Sequence, residues 1–269
     1  MLLRLLPALL ATALIVAAAT LVAASADAGP ATRSLLPDLD QEAPSDLVVV
    51  RAGLAERPEY RLGFRSAVRN VGRGPLVIDG HRSGDAETMV ADQVVRHEGE
   101  PSTEVRGVGR LQFVVSPDHR HWHLLRFERY ELRRPGSSEP LAEDRKTGFC
   151  LGDRYTAVGP RLLHRAPRAL YTSRCGLEQT QLLGIREGIS VGYGDDYAAN
   201  LEGQYLPLDG LSDGRYELVH RVNRDQRIQE TGYGNNAASV LLRLRWRRGV
   251  PYVRVLARCA DSASCPEAP

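Results

Sequence analysis

The sequence predicts an all-β protein: one β-sandwich-like domain with long loops, behind an N-terminal signal segment. Three observations carry the fold class. Apolar and polar residues alternate at period 2 in several runs, most clearly over residues 60–71 (Y-R-L-G-F-R-S-A-V-R-N-V). Such runs recur roughly every ten residues, with Gly, Pro, Asp or Asn between them. Beyond the N-terminal segment there is no helical period, no heptad pattern and no internal repeat.

Residues 1–28 read as a targeting segment. Arg4 supplies a positive start, residues 5–24 are apolar, and Ala26-Asp27-Ala28 has the small-x-small form of a cleavage site. An uncleaved segment of this kind would be long enough to anchor the chain in a membrane. Either way the folded part is expected to be secreted or extracytoplasmic. Residues 29–45 carry Pro and Asp without periodicity and read as a linker. The domain is then expected over 46–258, with a C-terminal tail over 259–269 that is ordered only if Cys265 is bonded.

Within the domain, strands are expected at 46–51, 60–71, 76–78, 89–97 and 109–115. A histidine-bearing strand follows and runs on to about residue 130. After the turn Arg134-Pro135-Gly136, residues 141–151 carry Lys146 and Cys150. Residues 153–187 lack periodicity and read as a long loop, and long ordered loops are usually functional. Residues 188–197 are rich in Gly, Asp and Tyr. Further strands are expected at 204–208, 216–222, 238–247 and 252–257.

The net charge of +2 argues against a nucleic-acid partner, which needs a concentrated basic face. The run Arg243, Arg245, Arg247, Arg248 reads first as the solvated face of a strand and second as a contact for a polyanion. Export makes disulfides plausible. Cys150, Cys175, Cys259 and Cys265 allow three pairings; short loops favour Cys150–Cys175 with Cys259–Cys265, and the sequence does not decide it. Of the 35 basic residues, Lys146 is the single lysine. Lysine can become a neutral nucleophile when its pKa is lowered, whereas arginine stays charged.

The stretch richest in chemistry is Asp118-His119-Arg120-His121-Trp122-His123. Spacing i, i+2, i+4 puts three imidazoles on one face of a strand. Three neutral imidazoles suit Cu, Zn, Ni or Fe, and an open fourth position is the form of a catalytic site. On a straight strand His119 and His123 would be roughly 13 Å apart, so a bulge is expected to bring them to one ion.

These motifs resemble the lysyl oxidase family of copper-dependent amine oxidases, and especially its bacterial members. His119-Arg120-His121-Trp122-His123 with Phe127, Tyr130 and Leu132 looks like the family's copper strand. Lys146-Thr147-Gly148-Phe149-Cys150-Leu151 looks like its K-x-x-F-C-L segment. Gly188-Ile189-Ser190 through Asp196-Tyr197, then Gly203-Gln204-Tyr205, looks like its second cofactor segment. Glu230 and Asn235-Asn236 match its closing pattern, so the resemblance covers about residues 38–247.

The resemblance implies that His119, His121 and His123 bind Cu2+. It implies that Lys146 and Tyr197 are joined as lysine tyrosylquinone, and that a primary amine or protein lysine is oxidised by O2. Asp195 and Asp196 are candidates for the base by sequence proximity alone. A non-catalytic copper-binding β-domain is the alternative. A zinc hydrolase fits less well, because no acid–histidine pair follows the motif. The vertebrate members have many more cysteines around this site than the four here.

Overall fold

The structure, a computed structural model, describes residues 33–116, 120–144, 148–162, 164–201 and 203–266. The signal segment, His119 and Lys146 therefore lie outside the described residues. In chain order the first strands are β1 (Ser34–Leu35), β2 (Leu39–Gln41), β3 (Ser45–Leu54), β4 (Arg57–Asn70), β5 (Leu76–His81) and β6 (Thr88–His97). Next come β7 (Thr103–Val115), β8 (Arg120–Leu125), β9 (Glu128–Arg133), β10 (Pro140–Glu143), β11 (Gly148–Phe149) and β12 (Tyr155–Thr156). The last six are β13 (Gly184–Ile189), β14 (Tyr193–Tyr197), β15 (Tyr205–Pro207), β16 (Gly214–Val222), β17 (Ala237–Arg247) and β18 (Val250–Cys259).

They form three curled sheets. One runs β11-β8-β7-β6-β5-β13, with β1 added to β6; the second runs β10-β9-β16-β17-β18; the third is built around β4, which pairs with β2, β3, β14 and β15. No helix among the described residues is long and apolar enough to cross a membrane. The all-β, sandwich-like expectation holds.

Strand β4 shows why the alternation was readable. Tyr60, Leu62, Phe64 and Val68 are buried in the core, with Leu132, Leu218 and Leu242 from the second sheet. Arg61, Arg65 and Arg69 face outward, where Arg65 pairs with Asp196 (2.9 Å) and Arg69 with Asp40 (2.8 Å). A period-2 pattern with apolar groups on one face is what a half-buried strand requires.

Three expectations need correction. The linker is not one from residue 33 onward. Leu39, Asp40 and Gln41 are buried in β2 against β4, and the Leu39 N–H donates to Glu230 Oε2 at 2.7 Å. Residues 184–187 are not loop, because they pair with β5. Strand β7 starts at Thr103 rather than Gly109, pairing with β6 around a register shift. The tail meets its stated condition for order: Cys265 is buried and bonded to Cys259, and its N–H donates to Glu217 Oε1 at 2.8 Å.

Candidate metal and cofactor site

Strand β8 pairs with β7 in unbroken register, from Leu111↔Leu124 to Val115↔Arg120. The expected bulge is therefore absent from the described part of the strand, and His119 lies beyond it. Regular alternation already brings two imidazoles together. His121 Nε2 and His123 Nε2 are 2.7 Å apart, with His123 buried and His121 half-buried. With metal–nitrogen bonds of about 2.0 Å, two nitrogens this close can share one ion. Trp122 points the other way into the core, edge-on to Phe113 and with its Nε1–H on Gln179 O at 3.1 Å.

The free edge of β8 receives two further segments. Its Trp122 N–H donates to Cys175 O at 2.8 Å, and β11 pairs through Gly148↔Leu125 and Phe149↔Leu124. The Cys150–Cys175 disulfide joins these segments, with Cα atoms 5.7 Å apart. Position 148 must be glycine for steric reasons. A Cβ there would stand 2.7 Å from Leu124 O and 2.9 Å from His123 Cβ, so β11 lies directly against the histidine face.

Tyr197 ends β14, opposite Ser66 of β4, and is 2% exposed. Its hydroxyl accepts from Cys150 N–H at 2.8 Å and donates to Cys150 O at 2.9 Å. Phe149 packs edge-on to its ring at 5.0 Å. The Arg154 guanidinium lies 4.8 Å from the ring centroid, with Nη2 3.4 Å from the hydroxyl. Burial pushes the Tyr197 phenol well above its ordinary pKa and the Asp195 charge adds to this, while Arg154 pulls it down.

The described parts of the three motifs thus meet. His121 and His123 sit on β8, Gly148–Phe149 pairs with β8, and Phe149 and Cys150 hold Tyr197. Asp195 and Asp196, equal in the sequence, are separated by the fold. Asp195 shares the buried face of Tyr197 and pairs with Arg154 at 2.5 Å. Burial, opposed by Arg154, holds its carboxyl well above the ordinary value. Asp196 faces outward to Arg65, away from the tyrosine.

Sequence reasoning missed Arg154, one arginine among many, although it follows the F-C-L-G-D run directly. It also missed Asp153, whose carboxylate accepts from Ser190 N–H and Oγ–H at 2.7 and 2.8 Å and so ties the segment leading to Tyr197 to the loop. Glu128 accepts from the Tyr130 hydroxyl at 2.7 Å, beneath Phe149. Cys150, Cys175 and Glu187 have ligand atoms within 4.8 Å of one another. The two sulfurs are bonded to each other, so this trio offers no thiolate to a metal.

The fold and site define an all-β domain in which an imidazole pair and a buried, backbone-held tyrosine share one interstrand segment. The chain belongs to the lysyl oxidase family: the family's sequence profile, described as lysyl oxidase, matches residues 107–250, over half the chain. Protein-lysine 6-oxidase of Rattus norvegicus is 29% identical over 126 residues, which is 46% of this chain and 27% of that protein. The Sus scrofa protein of the same name is 28% identical over 126 residues, 46% of this chain and 44% of its own length. Lysyl oxidase homolog 1 of Homo sapiens is 25% identical over 119 residues, 44% and 18% respectively. The chain spans less than half the length of each of these relatives.

Proposed function

We propose that this chain is a copper-dependent amine oxidase converting primary amines, protein lysine side chains foremost, to aldehydes. The overall reaction is R–CH2–NH2 + O2 + H2O → R–CHO + NH3 + H2O2. His119, His121 and His123 are the proposed copper ligands. Lys146 and Tyr197 are the proposed partners in lysine tyrosylquinone. When bound, the copper and quinone supply an electrophilic carbonyl and a two-electron acceptor.

The observation that carries this reading is the double hydrogen bond between the Tyr197 hydroxyl and the backbone of Cys150. It brings a buried phenol onto the segment that bears the chain's single lysine, 47 residues away from that cysteine in sequence. The remaining roles belong to the protein's own groups. Cys150 fixes the direction of the phenol oxygen. Phe149 limits rotation of the ring and keeps water from one side. Arg154 stabilises negative charge on the oxygen. Asp195, which shares the buried face of Tyr197 and pairs with Arg154, is the proposed base for the substrate α-proton.

The reading carries an exported protein whose residues 1–28 are cleaved or retained as an anchor, with membrane contact only if retained. The catalytic domain, expected over 46–258, is taken to include β1, β2 and the Cys259–Cys265 end as well, and four cysteines fit a bacterial member. A peptide map of copper-loaded, aerated protein tests it. The peptides bearing Lys146 and Tyr197 should be joined, and Lys146→Arg should leave them separate and the protein inactive. Copper binding with unlinked peptides would instead mark a non-catalytic copper-holding domain. A Lys146→Arg protein that still forms quinone and oxidises amines would sink the proposal.

A further inference from the structure

The outer face of the second sheet carries a concentration of arginine that the candidate site does not use. Arg243, Arg245 and Arg247 occupy successive outward positions of β17, about 7 Å apart along the strand. Across the strands, Arg215 lies directly opposite Arg243, and Arg243 directly opposite Arg254. Like charges placed directly opposite destabilise a sheet, and acids normally alternate with them.

Here they do not. Glu217, on the same face, is buried and taken up by Arg133, Ser264 and Cys265. Asp213, at the rim, accepts from the Trp246 N–H at 2.7 Å. Arg243, Arg245, Arg247 and Arg254 belong to no ion pair among the described residues. Tyr252 pairs with Arg245 across the strands, is 54% exposed, and has the Arg247 guanidinium 5.6 Å from its ring. A shallow depression of about 320 Å³ runs between Asp213, Arg215, Arg243 and Arg245.

We propose that this face docks a linear polysaccharide bearing sulfate or phosphate groups. Guanidinium forks match the oxygens of such groups bidentately. The row repeats along and across the strands, as a chain of anions requires. A cationic amine is repelled here, so the surface is separate from the proposed amine site and stands whether or not the oxidase reading holds. A lipid surface would call for apolar groups that enter the bilayer. The outward positions 243, 245 and 247 of β17 are all arginine, and the exposed apolar groups beside them, Val250 and Tyr252, sit opposite Arg247 and Arg245 rather than forming a patch of their own.

The test is fluorescence anisotropy of the mature chain with a labelled heparin oligosaccharide across a salt series. The triple variant Arg243→Ser, Arg245→Ser, Arg254→Ser should bind about tenfold or more weakly and show a shallower salt dependence, because fewer counterions are released. A control that removes three exposed arginines elsewhere, Arg57→Ser, Arg106→Ser, Arg168→Ser, should stay within about twofold. The first triple should also melt no lower than the wild type, since it relieves like-charge opposition. If it unfolds, Arg245→Glu with Arg247→Glu replaces it, with the same expected loss. The proposal is overturned if the wild type does not bind, if both triples weaken binding equally, or if only DNA or phosphatidylglycerol vesicles bind.

Discussion

Replacing Arg154 with methionine keeps much of the side-chain volume and removes the charge that faces both Asp195 and Tyr197. Asp195 is 2% exposed at its side chain, and Arg154 is 30% exposed. Breaking a fully buried pair costs about 3–5 kcal/mol because a buried charge is left alone. Partial exposure of Arg154 reduces this to about 2–3 kcal/mol. Asp195 can escape part of the loss by taking up a proton, since its folded pKa is already raised. For an acid with a raised folded pKa, stability is fully present below the unfolded pKa and is lost as pH rises through the folded one. Arg154→Met should therefore steepen the fall in stability towards alkaline pH. Adding Asp195→Asn should recover at least about 1 kcal/mol of the loss, because the two groups interact directly. Urea unfolding of metal-free wild type, both single variants and the double variant, each at several pH values, measures this cycle. Additive single effects, or an unchanged pH slope in Arg154→Met, would refute the assigned pairing.

Asp195→Asn should leave the proposed cross-link intact in the peptide map and lower kcat about 10²–10⁴-fold, the range for loss of a general base; a change in KM alone would argue against that role. Removing the Cys150–Cys175 bridge with a double alanine variant opens a link across a sequence separation of 25. The loop-entropy estimate is about 3.5 kcal/mol, to be read as a shift in urea midpoint, and no shift would mean that hydrogen bonds alone hold the segment on β8. Glu230 accepts from Leu39 N–H and from the Asn223 and Asn236 amides at 2.6–2.7 Å, and burial pushes its pKa up to about 7. Its contribution to stability is present below about pH 4.5 and lost as pH rises through about 7, a change of about 3 kcal/mol. Glu230→Gln should flatten that part of the profile, and an unaltered slope would show that another group sets it. His123→Ala should reduce bound copper per chain well below one; full occupancy would remove this residue from the ligand set.

Much of the fold was legible because burial in a sandwich writes itself as alternation. Strands β4, β6, β16 and β17 each present an apolar face, and their positions follow from it. Strand β2 was hidden because two of its three buried residues, Asp40 and Gln41, are polar and are satisfied by distant partners such as Arg69 and the Ala67 carbonyl. Strand β13 was hidden because Gly184, Arg186, Glu187 and Gly188 break the apolar alternation; Gly184 and Arg186 are exposed, while Glu187 and Gly188 are buried by their pairing with β5. At the site, the histidine triplet and the single lysine stood out by residue type and spacing, and Tyr197 only through the family resemblance; the structure describes His121, His123 and Tyr197 of these. The choice between Asp195 and Asp196 was open to strand parity, since only Asp195 shares a face with Tyr197. Arg154 was not readable, because its role comes from a ring that lies 43 residues further on.

The hydrogen bond between Leu39 and Glu230 spans 191 positions, and it has a kinetic meaning. Contacts between distant parts of a chain form slowly, because a large loop must close first. Strand β4 waits for partners on both sides of it, from residues 39–54 and from 193–207. A polypeptide halted between residues 125 and 230 has the histidine strand and can pair β2 with β4, but it lacks the Glu230 carboxylate that receives the Leu39 N–H. Completing the sheet around β4 is therefore a late step, and the burial of Tyr197 on β14 waits for at least the first 197 residues.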